Sequence, residues 1–446
     1  MRAPMTTSPP RLGPRTPAGA RQSRAADRPA GPVPSGPGRR RRRADGPAAW
    51  LLRAWPTGLP SVVLLCWIAF WAARPPWWSF NWLAPMAVVA LLLSGRIPRP
   101  RWADALAAAT AGWAYNTDLW SDRPDLTAMG AYRYATVCLL FVACRHVLRT
   151  RRDLLLVGGT FLAGCVVVAQ EVVTGAAEDL RSRGQVLDVA HRFGVEGREV
   201  NLTAYTLVAG IVVAAILTAA VTRHRRWRLV PPAAGALLLW AVLLTGSRGA
   251  AIGVLLGVIA MLAARFWPRP TVLGLGVLGP ALLFLVPLGK TPSWTMTWLD
   301  GMYGRATGDI SGRLWLWPYA VTTWSEHLLT GSGPGVLMAT NPYGVGPHNL
   351  LLTIGNDLGL IGVLLYFGTL AAALVATARA APVGRLLACG FTALMLPIWL
   401  TGQWEASPAA WLVLAMLTVL PTLRAPATPQ APSAGPRPTA QVPATG

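Results

Sequence analysis

The chain contains many apolar runs whose lengths approach those of membrane-spanning helices. An α-helix needs roughly 20 apolar residues to cross a hydrocarbon core of about 30 Å. Such runs are too numerous here for the interior of a soluble protein, and only 13% of the 446 residues are charged. The sequence therefore predicts an all-α integral membrane protein. The 21 tryptophans agree with this class, because tryptophan favours membrane–water interfaces.

Polar segments and segments that contain glycine or proline divide the apolar sequence into helices. The third of these helices is short and rich in alanine, and only TGSRG separates the seventh from the eighth. We predict twelve transmembrane helices, at residues 58–73, 79–95, 102–114, 130–148, 153–174, 200–221, 229–245, 248–264, 271–288, 349–375, 384–401 and 408–423.

The distribution of basic residues between the loops predicts the orientation. The segments RHVLRTRR (145–152) and RHRRWR (223–228) are typical of cytoplasmic loops. Placing them inside puts the acidic segment 118–125 and the long loop 289–348 outside. Because the number of helices is even, both termini are then cytoplasmic. Heavy use of arginine, alanine, glycine and proline indicates a high-GC genome, so we expect a bacterial cytoplasmic membrane.

Two tails flank the predicted membrane domain, which covers residues 58–423. Residues 1–57 are basic and rich in proline, glycine and alanine, and residues 424–446 are rich in proline and alanine, so both are predicted to be disordered cytoplasmic tails. The arginine run at 39–43 is typical of topology signals and of attraction to anionic membrane lipids. The net charge of +22 is therefore attributed mainly to topology, and no nucleic-acid partner is expected.

The predicted outer loop 289–348 is long for a connecting segment and is therefore a candidate for function. Its second half predicts an amphipathic helix in the outer interface, with Arg313 directly before it. The glycines of GSGPG (331–335) then predict tight turns. The apolar face of the predicted helix consists of Trp317, Ala320, Val321 and Trp324.

The segment PHNLLLTIGNDLGLIG (347–362) places a polar pair at the start of an apolar helix. His348 and Asn349 are typical of a helix cap, and they could also contribute to a site for charged chemistry. Asp357 lies about two turns further on, and an intramembrane carboxylate is a functional candidate by default. Thr353 and Asn356 share the face of Asn349, and the small residues predicted to permit close helix packing are Gly355, Gly359 and Gly362.

Arginines on the predicted outer side run against the usual charge distribution. Arg248 occupies the turn between the seventh and eighth helices. It fits either a snorkelling side chain at a helix end or an anion-binding residue at a helix start. Arg192, in HRFGVEGREVN, precedes the sixth helix and has Asn201 close behind it.

Three segments in this order resemble the O-antigen ligase and O-antigen polymerase family: SRGAAIGVLLG, SGRLWLWPYAVTTWSEHLLTGSGPG and PHNLLLTIGNDLGLIG. The resemblance covers roughly residues 190–370, and its most specific part is the His-Asn pair before a Gly-x-x-Gly helix. It implies a GT-C-like membrane fold at whose outer face a glycan passes from an undecaprenyl diphosphate carrier to an acceptor. That acceptor would be a glycan, a lipid or a wall polymer. It implies no cofactor, nucleotide sugar or metal.

By the same resemblance, Arg248 and Arg313 match family arginines and His348 matches the loop histidine. Two guanidinium groups would stabilise the diphosphate leaving group. His348 would accept the proton of the acceptor hydroxyl or orient that hydroxyl. Asn349 would position sugar hydroxyls or the histidine, and Arg192 is a third arginine candidate for substrate binding.

A transporter or flippase of lipid-linked glycan is the alternative function. It would place charged residues deep inside several helices and would consist of two similar halves. Here the outer-side arginines and the His348-Asn349 pair cluster at one predicted outer face. A metal-dependent GT-C transferase would carry an acidic residue in its first outer loop, which reads RPPWWS and has none. The sequence therefore predicts a glycan ligase or polymerase, and the motifs do not separate these two activities.

Overall fold

A computed structural model describes residues 58–74, 80–95, 100–183, 192–195, 199–221, 227–288, 313–402 and 404–423. Within these residues all regular structure is helical. Both predicted disordered tails lie outside the described residues, as does the first part of the long loop, 289–312.

A helix is present at each of the twelve predicted positions, and α10 and α11 lie within the predicted long loop. The helices are α1 (Leu59–Ala73), α2 (Phe80–Leu93), α3 (Trp102–Asn116), α4 (Pro124–Val147), α5 (Arg151–Arg183), α6 (Val200–Ala220), α7 (Val230–Leu244), α8 (Arg248–Phe266), α9 (Pro268–Leu288), α10 (Arg313–Glu326), α11 (Val336–Thr340), α12 (Leu350–Ala380), α13 (Pro382–Thr401) and α14 (Pro408–Val419).

Seven helices in the described part of the chain are long and apolar enough to cross a membrane: α4, α5, α6, α8, α9, α12 and α13. Four more are apolar but shorter: α1, α2, α7 and α14. The prediction of an all-α membrane protein is therefore confirmed. That all twelve helices cross the membrane, in a GT-C-like arrangement, stays a prediction.

Two helices extend well beyond their predicted limits. Helix α4 begins six residues earlier than predicted, at Pro124, because proline at the first helical position and Asp125 in the first turn both favour a helix start. Helix α5 continues nine residues beyond its predicted end, to Arg183. Its last turns are polar, and the apolar runs used for prediction indicate only the part of a helix suited to lipid.

Helices α8 and α13 pack closely and antiparallel. A Cβ atom on Gly253 would lie 2.4 Å from the carbonyl oxygen of Leu394, and one on Gly257 would lie 3.1 Å from that of Gly390. Nearer the start of α8, a Cβ on Gly249 would lie 2.8 Å from the hydroxyl of Thr401. Small residues thus allow the backbones to approach, and they bring the start of α8 to the end of α13.

Helix α12 is interrupted at Gly359, whose φ of 66° and ψ of −170° are not helical. The segment 328–333 replaces the hydrogen bonds that the helix loses there. The amides of Leu360 and Ile361 donate to the carbonyls of Leu328 and Leu329 at 2.8 and 3.2 Å. In return, backbone amides of the GSGPG segment donate to two α12 carbonyls: Ser332 N to Asn356 O at 2.8 Å and Gly333 N to Asp357 O at 3.2 Å.

This interruption corrects the prediction that Gly355, Gly359 and Gly362 form one continuous helical face. Gly355 does provide close packing, because a Cβ there would lie 2.5 Å from the ring of Trp324. Gly359 instead supplies a backbone conformation that residues with a side chain rarely adopt.

Side chains also connect α12 near Gly359 to the segment 328–335; this contact is called the junction below. The carboxylate of Asp357 accepts hydrogen bonds from the Tyr134 hydroxyl at 2.9 Å and from the Gly335 amide at 3.2 Å. Three indole N–H groups donate to backbone carbonyls of the junction: Trp113 to Leu358, Trp120 to Gly331 and Trp324 to Leu328. Asp357, predicted as a functional candidate, is thus buried and bonded to the GSGPG segment.

We expect Gly359→Ala to lower the free energy of unfolding by about 2 kcal/mol or more. A Cβ at this position would lie 2.3 Å from the Leu329 carbonyl oxygen, and φ is positive. Gly368→Ala, in the regular part of α12, is the matched control, because its Cβ would meet only a Leu106 methyl at 3.6 Å. Thermal unfolding of both variants in detergent checks this, and equal midpoints would contradict it.

Candidate functional site

The start of α12 holds the predicted His-Asn pair. The side-chain oxygen of Asn349 accepts from the Leu352 amide at 3.0 Å, so the predicted capping role is confirmed. Asn349 is fully buried. His348 is half-buried and has a φ of 49°, and among the described residues no other non-glycine residue has a positive φ. A backbone conformation of this kind costs of order 1 kcal/mol and is often found at functional sites.

The turn before α12 is attached to α10. The indole N–H of Trp317 donates to the carbonyl of Pro347 at 2.8 Å. Further along, the side-chain amide of Asn356 donates to the carbonyl of Ala320 at 3.0 Å. The predicted apolar face of α10 is therefore packed against α12, with Trp317, Ala320 and Trp324 buried. Its location in the outer membrane interface stays a prediction.

Arg248 is the first residue of α8 and is half-buried. It follows a turn in which Gly246 has a φ of 61°. The unpaired amides at a helix start, together with the helix dipole, favour an anion at this position. A guanidinium group placed there adds further donors for a negatively charged ligand.

The end of α13 brings these two helix starts together, although they are a hundred residues apart in sequence. The side-chain amide of Asn349 lies 3.5 Å from the carbonyl oxygen of Leu400. The next residue, Thr401, faces Gly249, one residue after Arg248. Arg248 and His348 are thus placed at the same end of the helix bundle.

Arg192 is attached to the turn that precedes Arg248. Its Nε donates to the carbonyl of Thr245 at 3.2 Å, and its Nη2 donates to the side-chain oxygen of Asn201 at 2.6 Å. The side chain is exposed. The structure therefore brings the predicted pair Arg192 and Asn201 to the α7–α8 turn.

Arg313 is the first residue of α10, and its side chain lies outside the described residues. Its position in the chain is one turn before Trp317, which contacts the turn that carries His348. The backbone of Arg313 therefore begins the helix that supports that turn.

Glu405 was missed in the sequence analysis. It lies between α13 and α14, and its backbone carbonyl accepts from the Tyr366 hydroxyl and the Trp411 indole, each at 2.9 Å. Its Oε2 atom is buried without a hydrogen-bond partner in the described part of the chain, and burial raises the pKa of this carboxyl. The signal in the sequence was a single carboxylate in the short segment between two predicted helices.

Metal-binding clusters are absent from the residues that the structure describes: no group of three or more His, Cys, Asp or Glu side chains is arranged to hold an ion. None of the five cysteines forms a disulfide in the described residues, and four of them are buried. The side chains that the structure places at this end include Arg192, Arg248, His348 and Asn349.

A family model matches part of the chain. Residues 233–367 match the model of the O-antigen ligase family, Wzy_C. This range contains Arg248, Arg313, His348 and Asn349, whereas Arg192 precedes it. No match is found among curated proteins. The chain therefore contains a segment that is similar to the O-antigen ligase family, set among helices that are long and apolar enough to cross a membrane.

Proposed function

We propose that this protein is a bacterial glycan ligase or polymerase. It transfers a glycan from an undecaprenyl diphosphate carrier to an acceptor hydroxyl at the outer face of the cytoplasmic membrane. The observation that carries this proposal is the meeting of the Arg248 and His348 helix starts at the end of α13, within or beside residues of the matched O-antigen ligase domain. The acceptor is a glycan, a lipid or a wall polymer.

The diphosphate of the donor is bound by Arg248 and Arg313, with Arg192 as a further contact. A guanidinium group offers two parallel N–H donors to a phosphate, which an ammonium group does not. The start of α8 adds the positive end of its dipole beside Arg248. Charge neutralisation by arginine thus takes the role that a metal ion has in other transferases, and no cofactor takes part.

The chemical step is a displacement at the anomeric carbon of the donor. The acceptor oxygen forms the new bond to this carbon, and the bond from the carbon to the carrier diphosphate breaks. The leaving diphosphate takes the bonding electrons, and its new charge is stabilised by the arginines. His348 accepts the proton of the attacking hydroxyl, because a neutral imidazole is a suitable base near neutral pH.

Asn349 acts by positioning His348. Its side chain is fully buried and forms the cap of α12, so it fixes the backbone next to the histidine. This burial supports the second of the two roles expected for Asn349, orientation of the histidine, over direct contact with sugar hydroxyls.

We expect His348→Ala to reduce the rate of glycan transfer about 10²- to 10⁴-fold, because the general base is lost. His327→Ala is the matched control. His327 is exposed directly after α10 and belongs to the same predicted outer loop, 289–348, as His348. Transfer is measured with purified carrier-linked glycan and acceptor after both variants have been shown to insert equally. Full activity of His348→Ala would contradict the catalytic role.

Arg248→Lys and Arg313→Lys should each weaken binding of carrier diphosphate about tenfold or more, because the planar fork is lost while the charge is kept. Arg265→Lys is the control for Arg248, since Arg265 is exposed near the other end of α8. Binding of undecaprenyl diphosphate to the three purified variants provides the measurement. Unchanged affinity in both test variants would remove the anion-binding role.

Cells that lack the gene should accumulate carrier-linked glycan, which mass spectrometry of undecaprenyl diphosphate species detects. Accumulation of single repeat units indicates a polymerase, whereas accumulation of long chains indicates a ligase. Rescue with the His348→Ala variant should leave the accumulation in place. Unchanged carrier-linked glycans in the deletion strain would contradict transfer and favour a transporter.

A further inference from the structure

A cavity of about 290 Å³ lies where α1 and α5 begin and where α2 and α4 end. It is remote from the candidate site. Gly130 in α4 packs against Pro334 of the GSGPG segment, and His146 near the end of α4 lines the cavity. The 16 residues between Gly130 and His146 correspond to about 24 Å of helix. The cavity therefore belongs to the opposite end of α4, next to the predicted cytoplasmic segment 145–152.

The charged lining of this cavity is mainly basic. Arg149 and Arg152 both line it. The Nε of Arg149 donates to the carbonyl of His146 at 2.6 Å, which holds the guanidinium near the rim. The carboxylate in the lining is Asp153, whose Oδ2 accepts from the amides of Arg149 and Thr150 at 3.1 and 2.9 Å. Asp153 thus caps the start of α5, and the two arginines outnumber it in the described lining of the cavity.

His146 forms the part of the cavity wall that lies next to α3. Its side chain is more than nine-tenths buried, and its Nε2 has no hydrogen-bond partner in the described part of the chain. This nitrogen lies 3.5 Å from Oδ2 of Asp104, and the other oxygen of Asp104 is paired with Arg145. His146 therefore borders the cavity, while its Nε2 faces Asp104 of α3.

The remaining walls are largely apolar. Leu59 and Val62 of α1 face the cavity, together with Val147 of α4 and Leu156 of α5. A free inorganic anion gains nothing from these surfaces, whereas a molecule with an anionic head and a hydrocarbon part matches both kinds of wall. Basic pockets between membrane helices on the cytoplasmic side have this character.

We propose that this cavity binds the phosphate headgroup of an acidic phospholipid from the cytoplasmic leaflet. Arg149 and Arg152 contact the phosphate oxygens. The first part of the acyl chains lies against Leu59 and Leu156. The site is independent of glycan transfer, so its test does not depend on the proposed function.

Binding of phosphatidylglycerol to the purified full-length protein tests this proposal, by native mass spectrometry and by the thermal unfolding midpoint. We expect phosphatidylglycerol to remain bound in the mass spectrometer and to raise the thermal unfolding midpoint of the protein. Phosphatidylcholine should raise this midpoint less. Arg152→Gln should lower the affinity about fivefold, and Arg149→Gln/Arg152→Gln should lower it further. Arg152 is exposed, so its replacement leaves the buried packing in place.

Arg269→Gln is the matched control, because Arg269 is an exposed arginine at the start of α9 and does not line the cavity. Its affinity for phosphatidylglycerol should equal that of the unmodified protein. The proposal would be overturned if phosphatidylcholine raised the unfolding midpoint as much as phosphatidylglycerol does. It would also be overturned if Arg269→Gln lowered the affinity for phosphatidylglycerol as much as Arg152→Gln does. Equal protection by inorganic phosphate alone would overturn the assignment to a lipid and leave a site for free anions.

Discussion

Backbone hydrogen bonding at the interruption of α12 is the constraint on which the site depends. A helix that breaks within a membrane domain leaves amide and carbonyl groups that lipid cannot satisfy, so such a break requires protein partners. Here the partners come from segment 328–333, which exchanges hydrogen bonds with residues on both sides of Gly359. The position of α10 and the GSGPG turn is therefore set by the α12 backbone. The turn that carries His348 follows from the same arrangement, since Trp317 of α10 holds it.

The second determinant is the close packing of α8 on α13, which aligns two helix starts at one end. Glycines on α8 permit the approach, and the end of α13 then contacts both Gly249 and Asn349. Helix starts share a positive partial charge, and bringing two together is unfavourable unless an anion or a polar group is nearby. In the proposed function, the diphosphate of the donor is that anion.

The sequence predicted the positions of the helices well because each long apolar run has a simple physical cause, the thickness of hydrocarbon to be crossed. It predicted the cap at Asn349 for an equally local reason, the unpaired amides of a helix start. It could not predict the break at Gly359, because the compensating hydrogen bonds come from residues about thirty positions away. Glu405 was missed for the same reason, since its burial depends on α12 and α14 together. The roles of Arg248, Arg313 and His348 came from the family resemblance.

The indoles around Gly359 have a consequence for spectroscopy. Tryptophan is usually regarded in membrane proteins as an anchor at the lipid headgroups. Trp113, Trp120 and Trp324 instead donate to carbonyls on both sides of the contact between α12 and the GSGPG segment. Indole emission responds to hydrogen bonding and to local polarity. The protein therefore carries intrinsic fluorophores at the contact between these two segments, and comparison with variants that replace these three of the 21 tryptophans would isolate their emission.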